Sequence, residues 1–258
     1  MSQALQRMVV RLMIDPAWRR EVFEGAQTPE LNEDERRLLM ACDPRGFGVD
    51  PYQRARLLSA LLEEFPVGVA FLADGGRALH RADAFLSSLD FHVGVQDRQP
   101  IALVFGAWLA ERVGGVGRIE LALAQGRRDR RPRAEGISRG RGWVPVRAEA
   151  ESIYRFAAMR ERLGPTPVQA LADGVSLWGL PVPRKGEEFL LIEPGPEGDG
   201  AVAEITDGLL QLLQATVEAR PRAEVRAVAV RAGAEEHEVD DLLAELLEEG
   251  LLVEVLPG

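Results

Sequence analysis

Phe189-Leu-Leu-Ile-Glu193 and Ala201-Val-Ala-Glu-Ile205 flank the segment Pro194-Gly-Pro-Glu-Gly-Asp-Gly200. Two short β-like runs around Gly- and Pro-rich punctuation predict a hairpin. Three helical patterns follow. Thr206 or Asp207 caps the first, which runs to Val217 with Leu209, Leu210, Leu212 and Leu213 inward. The second covers Arg222 to Ala232 and ends at Gly233. The third covers Glu235 to Glu249, with Val239, Leu242, Leu243, Leu246 and Leu247 on its apolar face and Gly250 as its stop. Leu251-Leu-Val-Glu-Val255 then enters as a strand. Hairpin, three helices and closing strand give a winged-helix order. Pro165-Thr-Pro167 opens this module, and Val175-Ser-Leu-Trp-Gly-Leu-Pro-Val182 offers it a first strand.

The charge of the module argues against DNA. Residues 165–258 hold 6 Lys and Arg against 19 Asp and Glu, a net of −13, while the whole chain is −10. A DNA-binding module must neutralise phosphates and should be basic. A protein or peptide partner fits the acidic balance better.

The segments before it read as helices. Leu5, Met8, Val9, Leu12 and Met13 lie at helical spacing, and Asp15-Pro16 restarts the helix with a cap and a Pro at its first position. Asn32 with Glu35 makes a capping-box pattern. Asp50-Pro51 repeats the Asp-Pro start for a helix to Glu64, which Phe65-Pro66 breaks. Further helices are expected over 78–90, 99–112, 116–126 and 147–163. From Gly126 to Arg147 there are 8 Arg against Asp129 and Glu135, which reads as a mobile basic linker or loop. The expected organisation is a helical domain over 1–126, an Arg-rich linker and helix over 127–164, and the winged-helix module over 165–258. The fold class is α+β: a helical bundle followed by a small winged-helix-like domain with a short antiparallel sheet.

Residue chemistry gives little sign of a self-sufficient enzyme. The three histidines, His80, His92 and His237, lie at no metal-binding spacing. His92 could work with Asp90, but a structural role is the expectation. Cys42 is the single cysteine, which excludes an internal disulfide and is expected as a small buried or half-buried hydrophobe. Gly115-Val-Gly117 lacks the third glycine of a dinucleotide turn and follows a helix. Asp43 to Asp50 has too few oxygen ligands for a calcium loop. The Arg run has one nearby aromatic, Trp143, and so lacks the interleaving of a single-strand platform. No stretch approaches 18 uninterrupted apolar residues and no signal-peptide core opens the chain. A soluble cytoplasmic protein without metal or cofactor is expected.

The order of several segments resembles a bacterial helical family that carries a DNA-binding label. They are Leu57-Leu-Ser-Ala-Leu-Leu-Glu-Glu-Phe-Pro66, Phe85-Leu-Ser-Ser-Leu-Asp-Phe-His92, Ile101-Ala-Leu-Val-Phe-Gly-Ala-Trp-Leu109, Arg118-Ile-Glu-Leu-Ala122, Thr166-Pro-Val-Gln-Ala-Leu171 and Val175-Ser-Leu-Trp178. Proteins of this type are similar to the partner proteins of multinuclear non-haem iron-dependent oxidative enzymes, which act on ribosomally made peptides. The C-terminal part resembles the PqqD-like element that holds a precursor's leader peptide. The Arg-rich insertion departs from the pattern.

The resemblance implies a non-catalytic adaptor. Its partners would be a precursor peptide and an iron-dependent oxidative enzyme docked as a heterodimer, with the iron chemistry in that separate chain. An extended leader could add a strand to a sheet edge, alternate side chains entering a groove beside the third helix. Val202, Glu204, Leu243 and Leu247 are the candidate peptide contacts. The competing reading of these leucines is core. The alternatives are a winged-helix transcriptional regulator, which the acidic third helix disfavours, and an enzyme with an unrecognised site.

Overall fold

The computed structural model describes residues 2–47, 52–72, 77–129, 135–182, 184–195 and 200–255. The chain forms two compact units, Met1–Arg112 with Arg160–Trp178, and Val113–Met159 with Gly179–Gly258. The fold class is α+β, with helices predominating over small antiparallel sheets. No helix among the described residues is long and apolar enough to cross a membrane.

The first unit opens on α1 (Gln3–Ile14), α2 (Pro16–Phe23) and α3 (Glu33–Met40). The Ser2 hydroxyl caps α1, accepting from the Leu5 N–H at 3.1 Å. Asp15 caps α2, accepting from the Trp18 N–H at 3.1 Å with Pro16 at the first position. Asn32 and Glu35 form the reciprocal capping box of α3. Leu5, Met8, Leu12, Val22, Leu31 and Leu39 bury themselves between these helices. Asp50 and Pro51, the expected start of the next helix, lie outside the described residues; α4 covers Gln53–Glu64.

After α5 (Pro66–Leu72), the helix expected over 78–90 is two, α6 (Ala78–Phe85) and α7 (Leu89–Gln96). The break arises because the Ser88 hydroxyl accepts from the Phe91 N–H at 3.2 Å and so begins a new helix. With α8 (Ile101–Val113) these helices enclose an aromatic core. Phe85 and Phe105 stand 4.9 Å apart, and Phe65 meets Phe105 edge-on at 5.5 Å. Edge-to-face rings suit the aromatic quadrupole. Arg54 grips Asp83 with two bonds of 2.8 Å and donates to the Ile14 carbonyl at 3.2 Å, joining α4, α6 and the end of α1. This pairing raises the Arg54 pKa. Pro165-Thr-Pro167 does not open the C-terminal module. It leads into α11 (Pro167–Asp173), which packs on α4, α5 and α6.

The second unit contains α9 (Gly115–Arg127), β1 (Gly136–Arg139), β2 (Val144–Glu149) and the start of α10 (Ser152–Leu163). It continues with β3 (Glu187–Glu193), β4 (Ala201–Glu204), α12 (Asp207–Ala215), α13 (Arg222–Arg231), α14 (Val239–Glu248) and β5 (Leu252–Val255). The hairpin, the three helices and the closing strand follow in the expected order, but α14 begins at Val239 and not at Glu235. The Arg-rich stretch differs. Its residues 136–139 pair antiparallel with β5, and 144–149, which overlap the helix expected from 147, pair antiparallel with β3, so that helix begins only at Ser152. These strands obtain their hydrogen bonds from partners far along the chain, which a composition-based reading as linker overlooks. Val175–Val182 is irregular among its described residues, and β2 supplies the further strand of the hairpin's sheet.

Leu190 and Ile192 bury one face of β3, and Leu191 the other. Leu191 joins a cluster with Leu212 and Leu213 of α12, Val225 of α13 and Leu243 of α14. On the opposite face, a Cβ at Gly200 would meet the Leu123 side chain of α9 at 2.4 Å. The three-stranded sheet is therefore sandwiched between α9 and α12, each of which contacts both β2 and β3.

Gly140 follows β1 at a close backbone approach. Its N–H donates to the Leu251 carbonyl at 2.7 Å, and a Cβ there would lie 2.0 Å from the Gly250 carbonyl oxygen. The clashing atom is backbone and cannot rotate away. Gly140→Ala is expected to destabilise the second unit by ~1–3 kcal/mol, the range for overpacking. Urea denaturation read by circular dichroism checks this, and an unchanged midpoint would refute the tight crossing.

Candidate functional site

A sheet of order β2-β3-β4 has two outer edges. Hydrogen-bond phase decides what each presents. The Ile205 N–H donates to the Phe189 carbonyl at 2.8 Å, in register with Leu191↔Ala203 and Glu193↔Ala201. In an antiparallel pair, residues alternate between facing the partner and facing away. Ala201 and Ala203 thus point their backbone groups toward β3, while Val202 and Glu204 point theirs outward.

The β2 edge is blocked. Pro145 pairs with Leu191, a residue whose backbone bonds go to β4, so the Pro145 nitrogen points outward. Proline there costs the sheet no bond and leaves the edge without a donor at that position. Two residues on, the outward Arg147 carbonyl accepts from Arg118 at 3.1 Å. An unblocked edge is a template for another strand. Among the described residues no strand pairs with the outer side of β4, where Ala201, Ala203 and Glu204 are exposed and Val202 is half-buried.

The helices that follow are fixed to the sheet at one corner. Arg147 pairs with Asp207 at 3.0 Å and with Glu187 at 3.5 Å, and its guanidinium lies 5.3 Å from the Phe189 ring centroid. Thr206 caps α12, accepting from the Leu209 N–H at 3.2 Å. On the other face, the Glu188 carboxylate accepts from the Ile153 N–H at 2.8 Å and the Glu151 N–H at 3.2 Å. Burial raises its pKa against the effect of those bonds, with Glu204 adding repulsion.

Beyond the cap lies a cleft of about 310 Å³ between the start of α12, the end of α13 and α14, lined by Thr206, Gly208, Leu209, Leu212, Ala229, Ala232, Gly233, Ala234, Leu242 and Leu246. Gly208 lets α12 approach the end of α13 closely, since a Cβ there would lie 2.4 Å from the Ala232 carbonyl oxygen, while a Cβ at Gly233 would meet nothing within 4 Å. Sequence reading placed Leu242 and Leu246 on a buried helix face and missed the cleft. Its signal is the run of small residues Ala232-Gly-Ala234 opposite Gly208.

The structure brings the four predicted contacts together in two pairs, not as one groove. Val202 and Glu204 sit at the free edge. They share the face of Ile192 and Leu190, which lies toward α9. Leu243 is fully buried and Leu247 packs against the same cluster, which covers the opposite, Leu191 face. Strand alternation separates the pairs. The core reading holds for Leu243.

Other candidates resolve separately. Cys42 is exposed, not buried as expected, with its Sγ near the Leu38 carbonyl at the end of α3. Among the described residues no cluster of His, Cys, Asp and Glu is arranged to hold a metal ion. In the Arg-rich stretch, residues 130–134 lie outside the described residues, while Arg139 is nearly buried 4.0 Å from Asp129. The chain matches no protein-family model and no curated protein.

His92 is 4% exposed, and among the described residues neither ring nitrogen has a hydrogen-bond partner. Burial, with Arg11 second, pushes its pKa down to about 4; Asp15 opposes this and Arg54 adds to it. The unfolded chain binds that proton near pH 6.5, so protonation favours unfolding and stability falls as pH drops from 6.5 toward 4. Replacing His92 with Phe should flatten this part of the stability profile, measured by urea denaturation between pH 7 and 4.5. An unaltered slope would place the titration elsewhere.

Proposed function

We propose that this chain is a non-catalytic adaptor that holds an extended ribosomal precursor peptide on the outer edge of β4. A docked iron-dependent oxidative enzyme then modifies that peptide. One observation carries the reading: Val202 and Glu204 present outward backbone groups on the free edge of a sheet whose other edge carries Pro145 and a capped Arg147 carbonyl. Strand addition needs such an edge and draws its affinity from main-chain bonds. The acidic α14, with Asp240, Asp241, Glu245 and Glu248, opposes a major-groove role for the helix that would read DNA. The family resemblance of the segment order assigns enzyme docking to the helical unit.

The test is co-expression of the tagged chain with its neighbouring genes, followed by mass spectrometry of what co-purifies. An iron-containing enzyme and a short peptide in near-stoichiometric amounts are the expected yield. Val202→Pro then isolates the edge. Its nitrogen makes no bond within the sheet, so the fold should keep its melting temperature while peptide capture falls about tenfold or more. Ala203→Pro, which removes a bond to β3, should instead destabilise the protein. Elution of the chain alone, or DNA binding that weakens with salt, would overturn the adaptor reading in favour of a regulator.

A further inference from the structure

The cleft at the junction of α12, α13 and α14 is apolar inside and acidic at its mouth. Its walls include Gly208, Leu209, Leu212, Ala232, Leu242 and Leu246. Leu209, Ala232 and Leu242 are only half-buried, so solvent reaches the walls. The hydroxyl of Thr206, at the rim nearest β4, is occupied by the Leu209 N–H. About 310 Å³ lies at the small end of ligand pockets, ~300–1,000 Å³. It admits one or two large aliphatic or aromatic side chains.

A wider depression of about 470 Å³ adjoins it, sharing Leu242 and edged by Glu235, Glu238, Asp241 and Glu245. Among the described residues no Lys or Arg lines either space. His237 lies 3.5 Å from Glu235 and 3.8 Å from Glu238, while among the described residues Asp241 and Glu245 have no ion-pair partner. The nearby Arg226 is committed to Asp240. Like charges gathered around an apolar opening repel anionic ligands and raise the local concentration of cationic ones.

We propose that this cleft is a specificity pocket for a bulky apolar side chain of a peptide, and that the acidic mouth selects Lys or Arg flanking that side chain. The inference rests on the peptide-holding reading and deepens it by naming the peptide's chemistry. Thr206 lines the cleft two residues after Glu204, so a segment lying along β4 meets it at the end of the strand. The edge supplies sequence-independent main-chain bonds, and the cleft supplies discrimination.

The probe is a random dodecapeptide library displayed on phage and selected on the full chain. Enriched peptides are then synthesised and their affinities measured by fluorescence anisotropy. The expected peptides carry Leu, Ile, Phe or Met beside Lys or Arg. Ala232→Trp, which fills the cleft, should weaken them about tenfold or more. Glu238→Lys with Glu245→Lys, on exposed positions, should weaken basic peptides, remove their salt dependence and favour acidic ones. If Ala232→Trp fails to fold by circular dichroism, the charge reversal decides. Peptides that lose affinity with Val202→Pro but are indifferent to both cleft variants would overturn the pocket and leave the edge reading intact. Peptides sensitive to the cleft variants but not to Val202→Pro would support the pocket and overturn strand addition. Enrichment of no peptide would overturn both.

Discussion

The second unit depends on β3 being paired on both sides and buried on both faces. Leu190 and Ile192 face α9 while Leu191 faces α12, so one seven-residue strand seats the helices of two layers. Hydrogen-bond phase along β3 then propagates outward. It sets Pro145 with its nitrogen away from the sheet, and it sets Val202 and Glu204 with their backbone groups toward open solvent. A shift of one residue would exchange these roles and turn Leu191 into the wrong layer. The difference between a closed and an open edge therefore follows from the register of a few apolar residues.

Local chemistry was legible in the sequence because its causes are local. Asp15-Pro16, the Asn32–Glu35 box, the Thr206 cap and the stop at Gly250, which adopts a φ of +72°, each act within a few residues. The strands at 136–139 and 144–149 were not legible in the same way. Ile137 sits opposite Glu254, and Val144 opposite Ile192. Nothing within several residues of either declares that partner, and eight arginines overwhelm the alternation of Val144, Val146 and Ala148. Pro145 is tolerated in β2 only because its nitrogen faces outward, a condition set by register and not by local sequence.

The candidate site was half legible. Alternation along 201–205 was enough to single out Val202 and Glu204, and register shows that these are the two outward residues. The pairing of that strand with Leu243 and Leu247 did not follow, because the helical pattern identifies a buried face without identifying what it is buried against. Leu243 belongs to the core; its neighbours Leu242 and Leu246 line the cleft. Whether a leucine closes a core or opens a pocket depends on whether the opposing residues are large or small, and Gly208 and Ala232 lie far from it in sequence.

The pairing of β1 with β5 joins Gly136 to Val255. During synthesis the first of these strands leaves the ribosome long before the second exists. Ile137 and Arg139 find their backbone partners, Arg220 and Thr216, once α12 is made, but Gly136 and Ser138, which face β5, must wait while the whole hairpin and all three helices emerge. Closing so long a stretch of chain is slow compared with helix formation. The nascent chain thus passes through an interval in which its helical parts can form while an unpaired strand remains exposed, the state in which mispairing and aggregation begin. The arginines in and around β1 give that waiting strand a positive charge, which keeps copies of it apart until β5 arrives.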